Sequence, residues 1–219
     1  VGTETEADYL VATVGSLLTP VVQPAPSGGS ITSGAAEYLI IAHPDFISAD
    51  LQRLAQARTA QGLAVKIVDV RDVYATFTHG IFDAAAIRDY VRFAVSRLGT
   101  RYVLLVGGDT FDYRDFLGTD GISFIPSLYA ATDPVVRWAP VDPLYADIDG
   151  DNVPNVAIGR LPVRTGAELA TIVDKTLGYA GASYARTAVF AADEGYGYYS
   201  DWLVAGLPAW WNVDKAYID

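Results

Sequence analysis

The sequence predicts an α/β protein with a parallel β-sheet flanked by helices, read as two subdomains of which the second is truncated. Three observations carry this. Tyr38–Ala42 (YLIIA) and Tyr102–Val106 (YVLLV) are unbroken apolar runs, the pattern of strands buried on both faces. Between and after them stand helix-length segments whose apolar residues recur at helical spacing between capping residues. Strands alternating with such helices pair in parallel through right-handed crossovers.

Residues 1–34 read as an N-terminal extension and linker. Residues 8–22 (DYLVATVGSLLTPVV) are apolar enough to dock as a short helix, and QPAPSGGSITSG after them has linker composition. The first subdomain is expected over residues 35–140. It opens with the strand at Tyr38–Ala42, and Ser48 caps a helix that turns Ile47, Leu51, Leu54, Ala55 and Arg58 to one side before Gly62 ends it. Residues 63–70 (LAVKIVDV) read as a second strand. Asp83 caps a helix with Ile87, Tyr90, Val91, Ala94, Val95 and Leu98 on one stripe, stopped by Gly99. The third strand, Tyr102–Val106, runs into Gly107-Gly108-Asp109. Residues 110–140 carry aromatics between turn residues without periodicity, and a stretch that long is read as the boundary between the subdomains.

The second subdomain, residues 141–219, begins with an aspartate-rich stretch. Residues 156–158 then form a short strand, followed by a Gly-Arg turn. Thr165 and Glu168 make a capping box for a helix burying Leu169, Ile172, Val173 and Leu177. Thr187–Ala192 is a further strand, residues 195–200 a loop rich in tyrosine and glycine, Ser200 the cap of a short helix starting at Asp201, and 213–218 a last strand.

Composition narrows the function. The chain has 219 residues, 51% apolar and 19% charged, with a net charge of −11; such a chain buries a core and lacks the clustered cations that nucleic acid requires. No apolar run reaches the roughly 18 residues of a membrane span. There is no cysteine and no methionine, so disulfides, thiolate zinc sites and thiol nucleophiles are absent from these residues, and a chain starting at Val1 reads as a processed or excised piece. The acidity fits an extracellular or cell-surface protein or a calcium-rich setting.

Ligands in parallel sheets sit beyond the carboxyl ends of the strands, which singles out His43, Asp69 and Asp109. Each has a plainer alternative as a turn or capping residue, and His79 reads as a turn residue. A phosphate-binding use of Gly107-Gly108-Asp109 lacks the further glycines such a cradle uses. Asp147, Asp149, Asp151 and Asn155 fall at positions 1, 3, 5 and 9 of a loop, an alternation that points hard oxygens at one centre, as Ca2+ prefers. An EF-hand would need glycine and glutamate where Asn152 and Ile158 stand, so the stretch reads either as a calcium site completed by ligands from elsewhere or as a polar loop of Asx turns. No nucleophile elbow, P-loop or zinc-peptidase motif is present.

The segments EYLIIAHPDF, QGLAVKIVDVRDVYATF, AAAIRDYVRFA, RYVLLVGGDTFDYRD and DPLYADIDGDNVPNVAIGRLPVRT, in that order, resemble the gingipain-type cysteine peptidases. The resemblance runs from about Ala36 to the end, and YVLLVGGD and the Asp142–Pro162 run are its most specific parts. It implies a three-layer, caspase-like fold whose catalytic His and Cys lie further along than this chain extends, with the chain as the non-catalytic first part of the domain. Neither His43 nor His79 matches the family's His, so no catalytic residue is expected here. Partners implied are the remainder of the peptidase domain and a polypeptide substrate. Ser200-Asp201 matches the position where Arg-specific relatives place a carboxylate against the substrate's basic side chain; alternatively Asp201 merely suits a helix N-terminus. Asp109 and Asp142 stand in the family's two most specific motifs.

Overall fold

The computed structural model describes residues 11–13, 15, 17, 30–132, 134, 136–179 and 186–218. The helix expected within 8–22 lies largely outside them.

Four strands form a parallel sheet: β1 (Tyr38–Ala42), β2 (Val65–Asp69), β3 (Tyr102–Val106) and β6 (Ala157–Leu161), in the order β2-β1-β3-β6. The period-two alternation of a strand sorts their side chains between two cores. Leu39, Ile41, Val103 and Leu105 face one way, onto α2 (Val70–Phe77) and α3 (Ala84–Arg97). Ile40, Ala42, Leu104 and Val106 face the other, onto α1 (Ala49–Ala60) and α4 (Gly166–Tyr179). The result is the expected three-layer arrangement, with both faces of the sheet covered.

Helix starts follow their caps. Ser48 Oγ accepts from Leu51 N, and Asp83 Oδ1 from Ala85 N at 2.8 Å. Thr165 Oγ1 accepts from Glu168 N, while the Glu168 carboxylate reaches back to Arg164 N at 2.7 Å. Each such cap satisfies donors the helix cannot and is worth about 1 kcal/mol.

Several expectations change. β2 is shorter than residues 63–70, and a helix the periodicity reading missed, α2, begins at Val70 and buries Val70, Val73 and Tyr74. Gly159-Arg160 is no turn: both residues lie inside β6, in register with Leu104 and Leu105. The sheet therefore continues past residue 141, where the sequence placed a new subdomain. Residues 30–34 are anchored rather than linking, because Ile31 is buried, its carbonyl accepts from Tyr90 Oη at 2.9 Å, and Lys66 Nζ reaches Ser30 O at 3.0 Å.

Between β3 and β6 run two short antiparallel strands, β4 (Tyr129–Ala130) and β5 (Ala139–Pro140). Beyond α4, β7 (Thr187–Ala192) and β8 (Asn212–Tyr217) make a separate parallel pair linked by α5 (Gly197–Ala205). α5 starts three residues before the expected cap Ser200, and its N-cap Tyr196 makes no side-chain cap bond. The tyrosine-rich stretch is thus mostly helix.

Candidate functional site

The chain leaves β3 through Gly107, whose φ of +141° suits glycine and whose missing Cβ would stand 2.8 Å from Phe124 Cβ. That close approach lays residues 123–129 over the carboxyl end of the sheet. Asp109 then holds this loop: its carboxylate accepts from Ser123 Oγ (2.6 Å), Ser127 N (2.9 Å) and Tyr129 Oη (3.2 Å).

The loop is held from below by Arg160, projecting from β6. Its side chain is only 10% exposed. It makes two bonds of 2.7 Å to the Asp142 carboxylate and donates to the carbonyls of Gly107, Ile125 and Pro126. A planar guanidinium fork fits this set of acceptors and a lysine would not. Burial opposes the charge on Arg160, but the bonds and charge of Asp142 outweigh it and raise its pKa. Tyr145, fully buried, donates to Pro126 O at 2.5 Å, and burial raises its pKa strongly. Asp109 and Asp142, predicted separately, are brought together here. Arg160, Ser127 and Tyr145 were missed as site residues because nothing in their local sequence marks partners up to fifty-three residues away.

Above this scaffold lies a trough lined by both carboxylates' neighbours. One end, about 280 Å3, is lined by Phe82, Asp83, Asp109, Tyr113, Tyr129 and Trp138 among others. A wider part of about 950 Å3 shares Asp109, Tyr129 and Trp138 and reaches Asp142, Arg160 and Pro162. Tyr129 and Trp138 stack at 5.4 Å, and Phe82 stacks on Tyr113 at 5.8 Å.

The other strand-end candidates do local work. His43 accepts from Asp45 N as the cap of a short 3-10 turn and meets Phe124 edge-on at 5.0 Å. Burial lowers its pKa despite the nearby Asp45 and Asp69. Asp69 caps α2 and grips Arg71. His79 sits at φ +55° in the turn after α2.

In the aspartate loop, Asp147, Asp149 and Asp151 offer carboxylate oxygens within 4.8 Å of one another. Asp147, 8% exposed, accepts from Gly150 N and Asn152 N; Asp151 accepts from Val153 N. Asn155 Oδ1 accepts from Ile148 N, and its amide donates to Asp149. Carboxylate oxygens bonded this way keep further lone pairs, so the three aspartates fit a hard cation, while Asn155 braces the loop. Asp201, on α5, accepts from Lys215 Nζ (2.6 Å) and Tyr217 Oη (2.8 Å), both on β8. These bonds, Lys215 first, lower its pKa. It lies a turn inside the helix rather than at its start.

Two of the solved structures that resemble this chain are these. Dimeric latent PorU from Porphyromonas gingivalis matches with 24% identity and a TM-score of 0.52, over 64% of this chain and 15% of PorU. A structure described as a protease matches with 17% identity and a TM-score of 0.55, over 84% of this chain and 40% of that one. These likenesses concern the fold, and the chain spans less than half the length of either protein. No curated protein matches. Among the described residues no helix is long and apolar enough to cross a membrane. The sequence model of Peptidase family C25 matches residues 31–219, and the chain belongs to that family, the gingipain family.

Proposed function

We propose that this chain is the first part of an exported gingipain-like cysteine endopeptidase domain, acting at the cell surface or outside it. It scaffolds the catalytic half and contributes one wall of the substrate cleft, without activity of its own. The observation that carries this reading is the β7–α5–β8 unit. In it Val189 on β7, Trp202 and Leu203 on α5, and Trp210 before β8 are more than half exposed. A lone pair of strands is marginal in water, so these apolar faces call for cover, and the remainder of the domain is the partner this reading assigns to them. The boundary between the subdomains then falls after α4, beyond residue 179. Asp201 is assigned to the basic side chain of the substrate, for which Lys215 is the resident competitor.

The experiment compares this chain with the longer polypeptide on arginyl, lysyl and neutral peptide amides, with and without iodoacetamide. The chain alone hydrolyses none of them. The longer protein hydrolyses in a thiol-dependent way, and Asp201→Ala lowers turnover of basic substrates far more than of neutral ones. Thiol-independent hydrolysis by the chain, or equal losses on all substrates, overturns the assignment.

A second reading, a calcium-stabilised surface module with a peptidase-like fold and no catalysis, is favoured by the three converging aspartates. Calcium would be held by Asp147, Asp149 and Asp151 with water completing the six to eight oxygens it takes. It would relieve the repulsion among them. Calorimetric melting is expected to move up by several degrees in 1–5 mM calcium over chelator, and less in Asp149→Asn, as mass-action stabilisation requires. An unchanged midpoint removes calcium from either reading.

A further inference from the structure

The end of the sheet opposite the trough carries a cavity of its own. α1 and α4 cover one face of the sheet and both finish near Tyr38, where β1 begins. Charges along the seam between these helices are matched at one level and unmatched at the next. Arg53 donates to Asp50 at 3.1 Å and to Asp174 at 2.8 Å. Further along both helices, Arg58 and Lys175 line a cavity of about 500 Å3 with Ile172, Thr176 and Tyr179. Among the described residues neither of these two cations forms an ion pair. That is unexpected in a chain with 26 Asp and Glu against 15 Lys and Arg. Glu37, next to Tyr38 in sequence, spends an oxygen on Ala64 N instead.

Arg58 is fixed in place without being saturated. Its guanidinium lies over the Tyr38 ring at 5.7 Å, and Nη1 donates to Gln61 Oε1 at 3.1 Å. Its Nε is shut from solvent with no hydrogen-bond partner among the described residues. A guanidinium has five N–H donors, and a buried charged donor left unmet is costly, so an acceptor entering the cavity is favoured. Two cations on one hollow select an anion, while Ile172, the Tyr179 ring and the two cationic stems supply apolar wall. The volume falls within the roughly 300–1,000 Å3 of small-ligand sites. Both helices end here, so the backbone presents carbonyls and partial negative charge. Phosphate sites use the N–H groups of helix N-termini, which this end lacks. A singly charged carboxylate on an apolar body fits these walls better than a phosphate dianion.

We propose that the cavity at the last turns of α1 and α4 binds an organic carboxylate, its charge between Arg58 and Lys175 and its apolar body against Ile172 and Tyr179. A polypeptide C-terminus ending in an apolar residue and a free aryl or alkyl acid share this chemistry. The inference does not depend on the peptidase reading, since the cavity lies at the other end of the sheet from Asp109 and Asp142.

Titration of this chain with acetyl-Ala-Phe, followed by backbone amide chemical shifts, tests it against acetyl-Ala-Phe-amide, which keeps the body and removes the charge. The acid is expected to bind about tenfold more tightly than the amide, as a charge-assisted contact would give, and to weaken as salt is added. The shifted amides should cluster in residues 58–62 and 172–179. Arg58→Gln and Lys175→Gln should each weaken the acid several-fold. Lys175 is exposed, so Lys175→Gln keeps the fold, which an unchanged melting midpoint verifies; it carries the test if Arg58→Gln, which also loses its contact with Tyr38, does not fold. Tighter binding of the peptide than of hydrocinnamate supports a polypeptide C-terminus as the source, and equal binding supports a free acid. Equal binding of acid and amide, binding of neither, or indifference to Lys175→Gln overturns the proposal. Acetate or inorganic phosphate binding as tightly as acetyl-Ala-Phe overturns it as well, because the apolar body would then contribute nothing.

Discussion

At the scale of single residues, the weight of this molecule falls on Arg160. Its guanidinium joins β6, the carbonyls of residues 107, 125 and 126, and Asp142 in one buried set of bonds. Removing one partner of a buried ion pair strands the other, which typically costs about 3–5 kcal/mol. Arg160→Ala should lower the unfolding free energy measured in guanidinium chloride by that amount, through a lower midpoint at unchanged slope. Arg160→Lys should recover part of it, because a lysine keeps the charge but loses the fork. An unfolding free energy within about 0.5 kcal/mol of the parent in Arg160→Ala would show that the residue is energetically an ordinary surface cation. The sequence placed Gly159-Arg160 in a turn, and only the pairing with β3 reveals a strand. The local letters, glycine and arginine, carry no strand propensity.

At the scale of elements, the junction after β3 positions everything above the sheet. Gly107 at φ +141° leaves no room for a methyl group, with Phe124 Cβ at 2.8 Å and Ile125 Cγ1 at 3.0 Å from where it would stand. Phe124 and Ile125 are themselves buried, so they cannot swing aside. Gly107→Ala should therefore cost about 1–3 kcal/mol in urea denaturation, from strain and overpacking together. Gly108→Ala should cost less, because its nearest neighbours lie at 3.3 Å and its φ is not positive. Asp69 teaches a related lesson. Its place at the end of β2 made it a ligand candidate, yet the chain turns at once into α2 and uses the carboxylate as a cap. Val70, Val73, Tyr74 and Phe77 do stand at helical spacing. Their stripe was hidden because it begins on the last letters of an alternating strand pattern.

At the scale of the whole molecule, the two sheets differ in what covers them. The four-stranded sheet is sandwiched between α1 with α4 and α2 with α3, and its central residues are sealed. In the β7–β8 pair no residue is buried, and α5 buries none of its side chains. Local stability tracks such packing. Amides of residues 187–192 and 212–217 should exchange at least about a hundredfold faster than those of 38–42 and 102–106, a gap of about 2.7 kcal/mol. Hydrogen exchange read by mass spectrometry checks this, and equal protection in both sheets would mean that the smaller unit is stable uncovered.

The sequence by itself determined the α/β class, the limits of β1, β3 and β7, the capped starts of α1, α3 and α4, and the family. Those features rest on runs and spacings that local chemistry enforces: unbroken apolar strands, helical stripes, and a serine, aspartate or threonine at each helix start. Only the tertiary structure decided that β6 belongs beside β3, that Asp109, Asp142 and Arg160 form one assembly, and that stacked aromatics from distant loops line one trough. The physical reason is separation along the chain. Those contacts join residues tens of positions apart, and their strength comes from burial and converging charge that no window of sequence contains.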